Sequence, residues 1–350
     1  MDEITQSYSA ISTPAPPQRR SRVRQYLPTL ILLGLAVHLL LPQLTTLEHS
    51  LQVIKEMAWW AVALAVLAQL LCYVSNGYLI RSLAALTKRR LSIPLGMAIT
   101  LGAASVGLVA GGVVGSTAAI LHWTRKHNIS RTGALVIGWL PATLNTTLLL
   151  IISIASLINL LILGDLTPMQ LTIFRVALAL LIAAGGLILW GARHQPTLIM
   201  LAKTLAARWA ALRKRPYNPA VIQETITRLY TIWANLRAGG WRTPLAGALL
   251  IVIFDILTLY FLFIAAGYVI TFETLLAGYG LALFLGKVTL LPNGIGVVEG
   301  TMAALYSSLG VPKAVAVLVI LAYRILSLWI PTLIGFPIAA ILQHIDPRTK

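Results

Sequence analysis

Leu290-Leu291-Pro292-Asn293-Gly294-Ile295-Gly296-Val297-Val298-Glu299-Gly300 sets a proline, three glycines and a carboxylate inside an apolar run. Proline lacks a backbone donor and clashes with the helical turn before it, while Gly294 and Gly296 tolerate positive φ and close backbone approach. A helix entering at Leu290 must therefore stop and restart. In hydrocarbon, irregular backbone survives only where protein covers it or where it lines a wet cavity, because each unsatisfied N–H or C=O is costly. Residues 273–309 are accordingly expected to form two half-helices that meet at a turn within a membrane.

The composition makes hydrocarbon the expected solvent. Of 350 residues, 58% are hydrophobic and 11% charged, and several apolar segments reach the roughly 20 residues that cross a bilayer. The formal net charge of +17 would suit a nucleic-acid-binding protein, but most of the Lys and Arg residues cluster between the apolar runs, as cytoplasmic loops of membrane proteins require. Nucleic acid is therefore not an expected partner. Cys72 is the single cysteine; it permits no intrachain disulfide and reads as a small core hydrophobe. The six histidines lack metal-ligand spacing, so neither metal nor cofactor is expected.

Working outward from the broken stretch gives the domain organisation. Residues 1–25, rich in Ser, Pro and Arg, read as a disordered cytoplasmic tail, and the run from Tyr26 to about Leu44 as an uncleaved first span. A second span, from about Met57, returns to the basic cluster Lys88-Arg89-Arg90. The glycine-interrupted stretch at about 94–123 is followed by Arg125, Lys126 and Arg131. A hairpin entering and leaving on the cytoplasmic side keeps those charges inside; a single span would not. Spans from about Gly133 and about Met169 complete an N-terminal membrane half at 26–192. Residues 193–242 are strongly basic with apolar residues at helical spacing, which reads as amphipathic helices on the cytoplasmic face, attracted by anionic lipid or docked on their own spans. The C-terminal half, 243–342, holds a span from Pro244, the broken hairpin and a last span, and 343–350 form a cytoplasmic tail. The expected fold is thus all-α and polytopic, with about six transmembrane helices plus two re-entrant hairpins that open to opposite sides in an inverted-repeat arrangement. The chain is expected in the cell membrane with both termini cytoplasmic.

Five ionisable residues fall inside the apolar segments: Arg175, Asp255, Lys287, Glu299 and Arg324. Charges at that depth pair with one another or face water. Two readings stay open. Glu299 with Arg324 and Asp255 with Lys287 would be ion pairs that fix the hairpin. Alternatively, Lys287, Arg324 and the free amides of the half-helix after Gly294 would bind a phosphate. The candidate binding residues are Asp255, Lys287, Asn293, Gly294, Gly296, Glu299 and Arg324. Arg175, near the end of its span, reads as a snorkelling side chain.

Pro292-Asn293-Gly294-Ile295-Gly296-Val297-Val298-Glu299 resembles the P-G-G-x-G-x-x-E turn of the lysylphosphatidylglycerol synthase transmembrane-domain family. Leu309-Gly310-Val311-Pro312, Tyr323-Arg324, Trp329-Ile330-Pro331 and Gly335 follow in that family's order, and Asp255 resembles its intramembrane aspartate. Two departures stand out: Asn293 replaces the first glycine of the turn, and Gly115-Ser116 stands where many members carry Gly-Glu followed by Arg. The resemblance implies an integral membrane protein associated with lipid translocation. No room is expected in this chain for the soluble aminoacyl-transfer domain found in the best understood relatives.

The sequence therefore points to a flippase-like or related transporter recognising an anionic or phosphate-bearing lipid head group. The alternative is a non-transporting membrane partner of a glycosyltransferase or other lipid-modifying enzyme. An enzyme is not expected, since no nucleophile, metal set or cofactor motif emerges and no catalytic residue stands out.

Overall fold

A computed structural model of the protein describes residues 57–194 and 240–344 apart from 88, 111, 128, 164–166 and 290, together with 196–197, 199–200, 203–204, 207, 223 and 227. The expected tail at 1–25, the first span at 26–44, most of the amphipathic segment 193–242 and the end of the tail, 345–350, lie outside the described residues. Within them the chain is helical, with no strand. The helices are α1 (Trp59–Leu86), α2 (Ile93–Val109), α3 (Val113–Lys126), α4 (Arg131–Leu163), α5 (Pro168–Arg193), α6 (Arg242–Ala265), α7 (Phe272–Val288) and α8 (Val297–Ser308). The last helix, α9, has two α-helical segments, Lys313–Arg324 and Ile330–His344, joined by a π-helical turn at Ile325–Trp329. Trp59–Leu86, Gly133–Ile162, Arg242–Ala265 and Lys313–His344 are long and apolar enough to cross a membrane. The protein is an all-α, multi-pass membrane protein.

Local sequence sets where these helices start. Ser92 accepts the Leu95 N–H ahead of α2, with Pro94 in the first turn. Thr167 and Gln170 form a reciprocal capping pair ahead of α5, and Thr271 accepts the Thr274 N–H ahead of α7. Each cap satisfies donors that a helix N-terminus leaves unpaired. In α9, Pro331 cannot donate to the carbonyl four residues back, and the helix widens into the π turn just before it. The Tyr73 hydroxyl of α1 donates to the Leu326 carbonyl in that turn.

Small residues let α1 and α6 pack antiparallel along their length. The Ala58 N–H donates to the Ala265 carbonyl at 3.0 Å at one end, Cys72 meets Ile251 midway, and Gly247 lies against Leu79 towards the other end. Among the described residues several apolar cores form, of which two are the largest. One joins α1, α2, α3 and the start of α4 through Leu83, Ile99, Trp123 and Ile137. The other joins α6, α7, α8 and α9 through Phe263, Tyr279, Tyr306 and Tyr323.

Two helical hairpins open to opposite ends of this bundle. The ends of α1 and α3 and the starts of α4 and α6 share one end, where Lys126 donates to the Leu342 and Gln343 carbonyls at the end of α9. Arg89, Arg90, Arg125, Lys126 and Arg242 collect there. The α2–α3 hairpin opens towards this end. The α7–α8 hairpin opens to the other, where the Gln170 side chain at the start of α5 donates to the Ser308 carbonyl. The two tips meet inside: a Cβ on Gly112, between α2 and α3, would lie 3.8 Å from Pro292 Cα.

Candidate functional site

The break between α7 and α8 is a one-turn 3-10 helix, Pro292–Gly294, whose last two residues have left-handed φ. Asn293 has φ 52°, Gly294 φ 64° and Gly296 φ 84°. Among residues with a side chain, asparagine is one of the few that visit this region routinely, so it serves where the family pattern has glycine. Gly294 also has to be small: a Cβ there would lie 2.6 Å from Gly286 Cα on α7.

The turn is held from behind by a buried ion pair. Glu299 Oε2 accepts the Gly296 N–H at 2.7 Å, capping α8, and its Oε1 accepts Arg324 Nε at 2.5 Å. Arg324 Nη2 donates to the Asn293 carbonyl at 3.1 Å. Glu299 is 8% and Arg324 5% exposed. The expected Glu299–Arg324 pair is present, and the N-terminal pole of α8 carries its own anion in Glu299, which favours that position through the helix dipole.

The expected Asp255–Lys287 pair is absent. Asp255 Oδ2 instead accepts hydroxyl hydrogens from Tyr279 on α7 at 2.9 Å and Tyr323 on α9 at 2.8 Å. Two phenols brought in by neighbouring helices thus satisfy one oxygen of the carboxylate. Lys287, in the last turn of α7, has no hydrogen-bond or ion-pair partner among the described residues. Arg175 is exposed on α5 and does not line the cavity described next.

Residues of both larger cores line a cavity of about 510 Å³. Asp255, Lys287, Asn293 and Arg324 line it, whereas Gly294, Gly296 and Glu299 shape the turn without lining it. Gln69 and Asn76 of α1, Asn145 of α4, Tyr279 of α7, and Tyr323, Ser327 and Thr332 of α9 are among its other polar lining residues. Sequence reasoning passed over all of these. Gln69, Asn76 and Asn145 carried a usable signal, since each is an amide inside an apolar run; the tyrosines and Thr332 carried none. No group of three or more His, Cys, Asp or Glu side chains that could hold a metal occurs among the described residues.

Known proteins match the chain as follows. Residues 31–335 match the family described as the lysylphosphatidylglycerol synthase TM region. A UPF0104 membrane protein of Pyrococcus horikoshii is 41% identical over 81 residues, 23% of this chain and 24% of the relative. A UPF0104 membrane protein of Methanocaldococcus jannaschii is 30% identical over 139 residues, 38% of this chain and 41% of the relative. One from Methanothermobacter thermautotrophicus is 34% identical over 86 residues, 25% of each chain. The aligned parts span between about a quarter and two fifths of these relatives.

Proposed function

The chain belongs to the lysylphosphatidylglycerol synthase TM region family, and from that membership and the cavity together we propose that it is a flippase-like transporter, not an enzyme, for an anionic or phosphate-bearing lipid head group. One observation carries the reading. Lys287 lines the cavity and has no hydrogen-bond or ion-pair partner among the described residues, although a cation at membrane depth calls for a counterion or water. Asp255 Oδ2 is taken by two phenols and Glu299 by Arg324, so in this reading a bound anion is the counterion of Lys287. Arg324 adds its remaining nitrogen, Nη1.

The arrangement of the hairpins supports the transporter part. The helices of α2–α3 and α7–α8 have 17 and 14, and 17 and 12 residues, short of the roughly 20 that cross hydrocarbon. In this reading they are re-entrant, entering from opposite faces and meeting at the midplane. With the first span at 26–44, the protein then has six spans in an inverted repeat, and its basic end is cytoplasmic, with both termini on that side.

The test is a head-group accessibility assay in proteoliposomes. Lys287→Gln is expected to lower movement of a labelled anionic lipid by about ten-fold or more, the scale of a lost charge-assisted bond, while leaving the protein folded. Normal movement by a folded Lys287→Gln protein defeats this reading and leaves that of a non-transporting membrane partner.

A further inference from the structure

The two oxygens of Asp255 are engaged differently. Oδ2 accepts hydrogen bonds from both phenols, Tyr279 and Tyr323, whereas Oδ1 has no hydrogen-bond partner among the described residues. Gln69 Oε1, Ser327 Oγ and Thr332 Oγ1 are also unpaired, but they are enclosed. Asp255 Oδ1 and Lys287 Nζ are not among the enclosed unpaired atoms, and both residues line the cavity and are partly accessible. One free carboxylate oxygen and one free ammonium therefore meet this space. They lie within Coulombic reach of each other without forming an ion pair.

Asp255 is the only acidic side chain lining the cavity among the described residues. The titratable groups around it are Cys72 and Tyr73 of α1, Tyr279 and Lys287 of α7, and Tyr323 and Arg324 of α9; α2, α3 and α4 line the cavity with none. Thiols, phenols, ammonium and guanidinium groups ordinarily keep their protons up to about pH 7.5. Below that, a change of charge in the cavity falls to Asp255. A carboxylate at membrane depth without an ion-pair partner is the kind of group that carries protons.

We infer that the cavity takes up one proton, on Asp255 Oδ1, together with its phosphate-bearing anion, a coupling that rests on the reading of Lys287 as the anion site. An anion at Lys287 shares the cavity with ionised Asp255 and is repelled by it. With a proton on Oδ1 the repulsion is gone, and the carboxyl can donate a hydrogen bond where the carboxylate could only accept. Oδ2 still accepts both phenols, so the proton adds without breaking the contacts that join α6 to α7 and α9. The proton comes from solvent and returns to it on release. By linkage each ligand tightens the binding of the other, so a proton gradient drives the head group in the same direction.

The experiment measures binding of phosphatidylglycerol to the purified full chain in detergent between about pH 5 and about pH 7.5, with folding followed by thermal unfolding. The phosphodiester keeps one negative charge over that range, so the ligand does not titrate. Affinity is expected to fall towards the higher pH by about 5–150-fold, the span typical of coupled sites, and binding should take up about one proton per lipid from a weakly buffered solution. The near-isosteric Asp255→Asn, whose amide oxygen still accepts the phenols, should bind equally at all these pH values and take up no proton. Tyr323→Phe removes one donor to the carboxylate and should move the midpoint of the pH dependence upward; it serves as the second variant if Asp255→Asn does not fold. Binding by the native chain without pH dependence or proton uptake overturns the coupling alone, as does a pH dependence unchanged in folded Asp255→Asn or Tyr323→Phe. Binding that follows sodium concentration at fixed pH assigns Oδ1 to a metal cation and overturns the proton. Absence of binding throughout, or binding undiminished in Lys287→Gln, overturns the anion reading beneath it. Soluble glycerophosphoglycerol that binds as tightly with the same pH dependence upholds the coupling and removes the lipid as the source of the anion.

Discussion

Arg324 lies where three parts of the site come together: it pairs with Glu299, donates to the Asn293 carbonyl and lines the cavity. Removing one member of a buried ion pair leaves an uncompensated charge, typically at a cost of about 3–5 kcal/mol, and removing both relieves much of it. Arg324→Ala is therefore expected to lower the thermal unfolding temperature in detergent clearly, and Arg324→Ala with Glu299→Ala to recover much of the loss. An unchanged melting temperature in the single variant would show that the pair holds nothing. Asn293 gives a finer test of backbone conformation. At φ 52°, Asn293→Gly should leave stability within about 0.5 kcal/mol or raise it, whereas the β-branched Asn293→Val should cost about 1–3 kcal/mol. Equal melting temperatures for the two variants would contradict the left-handed assignment. The sequence singled out both residues. It did not indicate that Asp255 would be bound by Tyr279 and Tyr323, because those contacts join α6 to α7 and α9 across separations of 24 and 68 residues.

At the scale of the element, the α7–α8 hairpin closes with Gly286 of α7 packed closely against Gly294 of the turn. Gly294→Ala combines positive φ with the contact against Gly286 Cα, so it is expected to destabilise the protein by more than the strain of about 1–3 kcal/mol alone. Gly300→Ala on α8, with nothing within 4 Å of the added Cβ, should be neutral or stabilising by the helix preference for alanine. Unfolding of the two variants side by side checks this, and equal melting temperatures would remove the close packing as the reason for Gly294. The hairpin was expected over 273–309 and runs from Phe272 to Ser308. Its break was legible because Pro292, Gly294 and Gly296 act through local backbone rules. The π turn in α9 was not legible, since Pro331 alone is equally compatible with a simple kink.

For the whole molecule, the two hairpins open to opposite ends, with Arg89, Arg90, Arg125, Lys126 and Arg242 gathered at one end. The proposed orientation predicts that a cysteine replacing the exposed Ser130, introduced with Cys72→Ala, reacts with an impermeant reagent only from the cytoplasmic side. A cysteine replacing the exposed Phe272 should react only from outside. Labelling of position 130 from outside would make α2–α3 a net crossing and end the inverted repeat. The segment at 193–242, strongly basic in sequence, falls on the same side in this orientation.

The sequence by itself determined the solvent, the class of fold and the position of the break. Apolar length, the placement of Lys and Arg, and the backbone chemistry of Pro292, Asn293, Gly294 and Gly296 act within a few residues or through transfer to lipid, and neither depends on knowing which helices touch. It also named the costly charges, because a charge in an apolar run is visible without coordinates. Of their partners the sequence offered Glu299 with Arg324, which forms, whereas only the tertiary structure decided those of Asp255. Glu299 lies 25 residues from Arg324 and Asp255 lies 68 from Tyr323, and which side chain reaches which carboxylate depends on helix rotation and depth, set by packing of the whole bundle. That packing leaves Lys287 without a partner among the described residues and brings Gln69, Asn145 and Thr332, from three different helices, around one cavity.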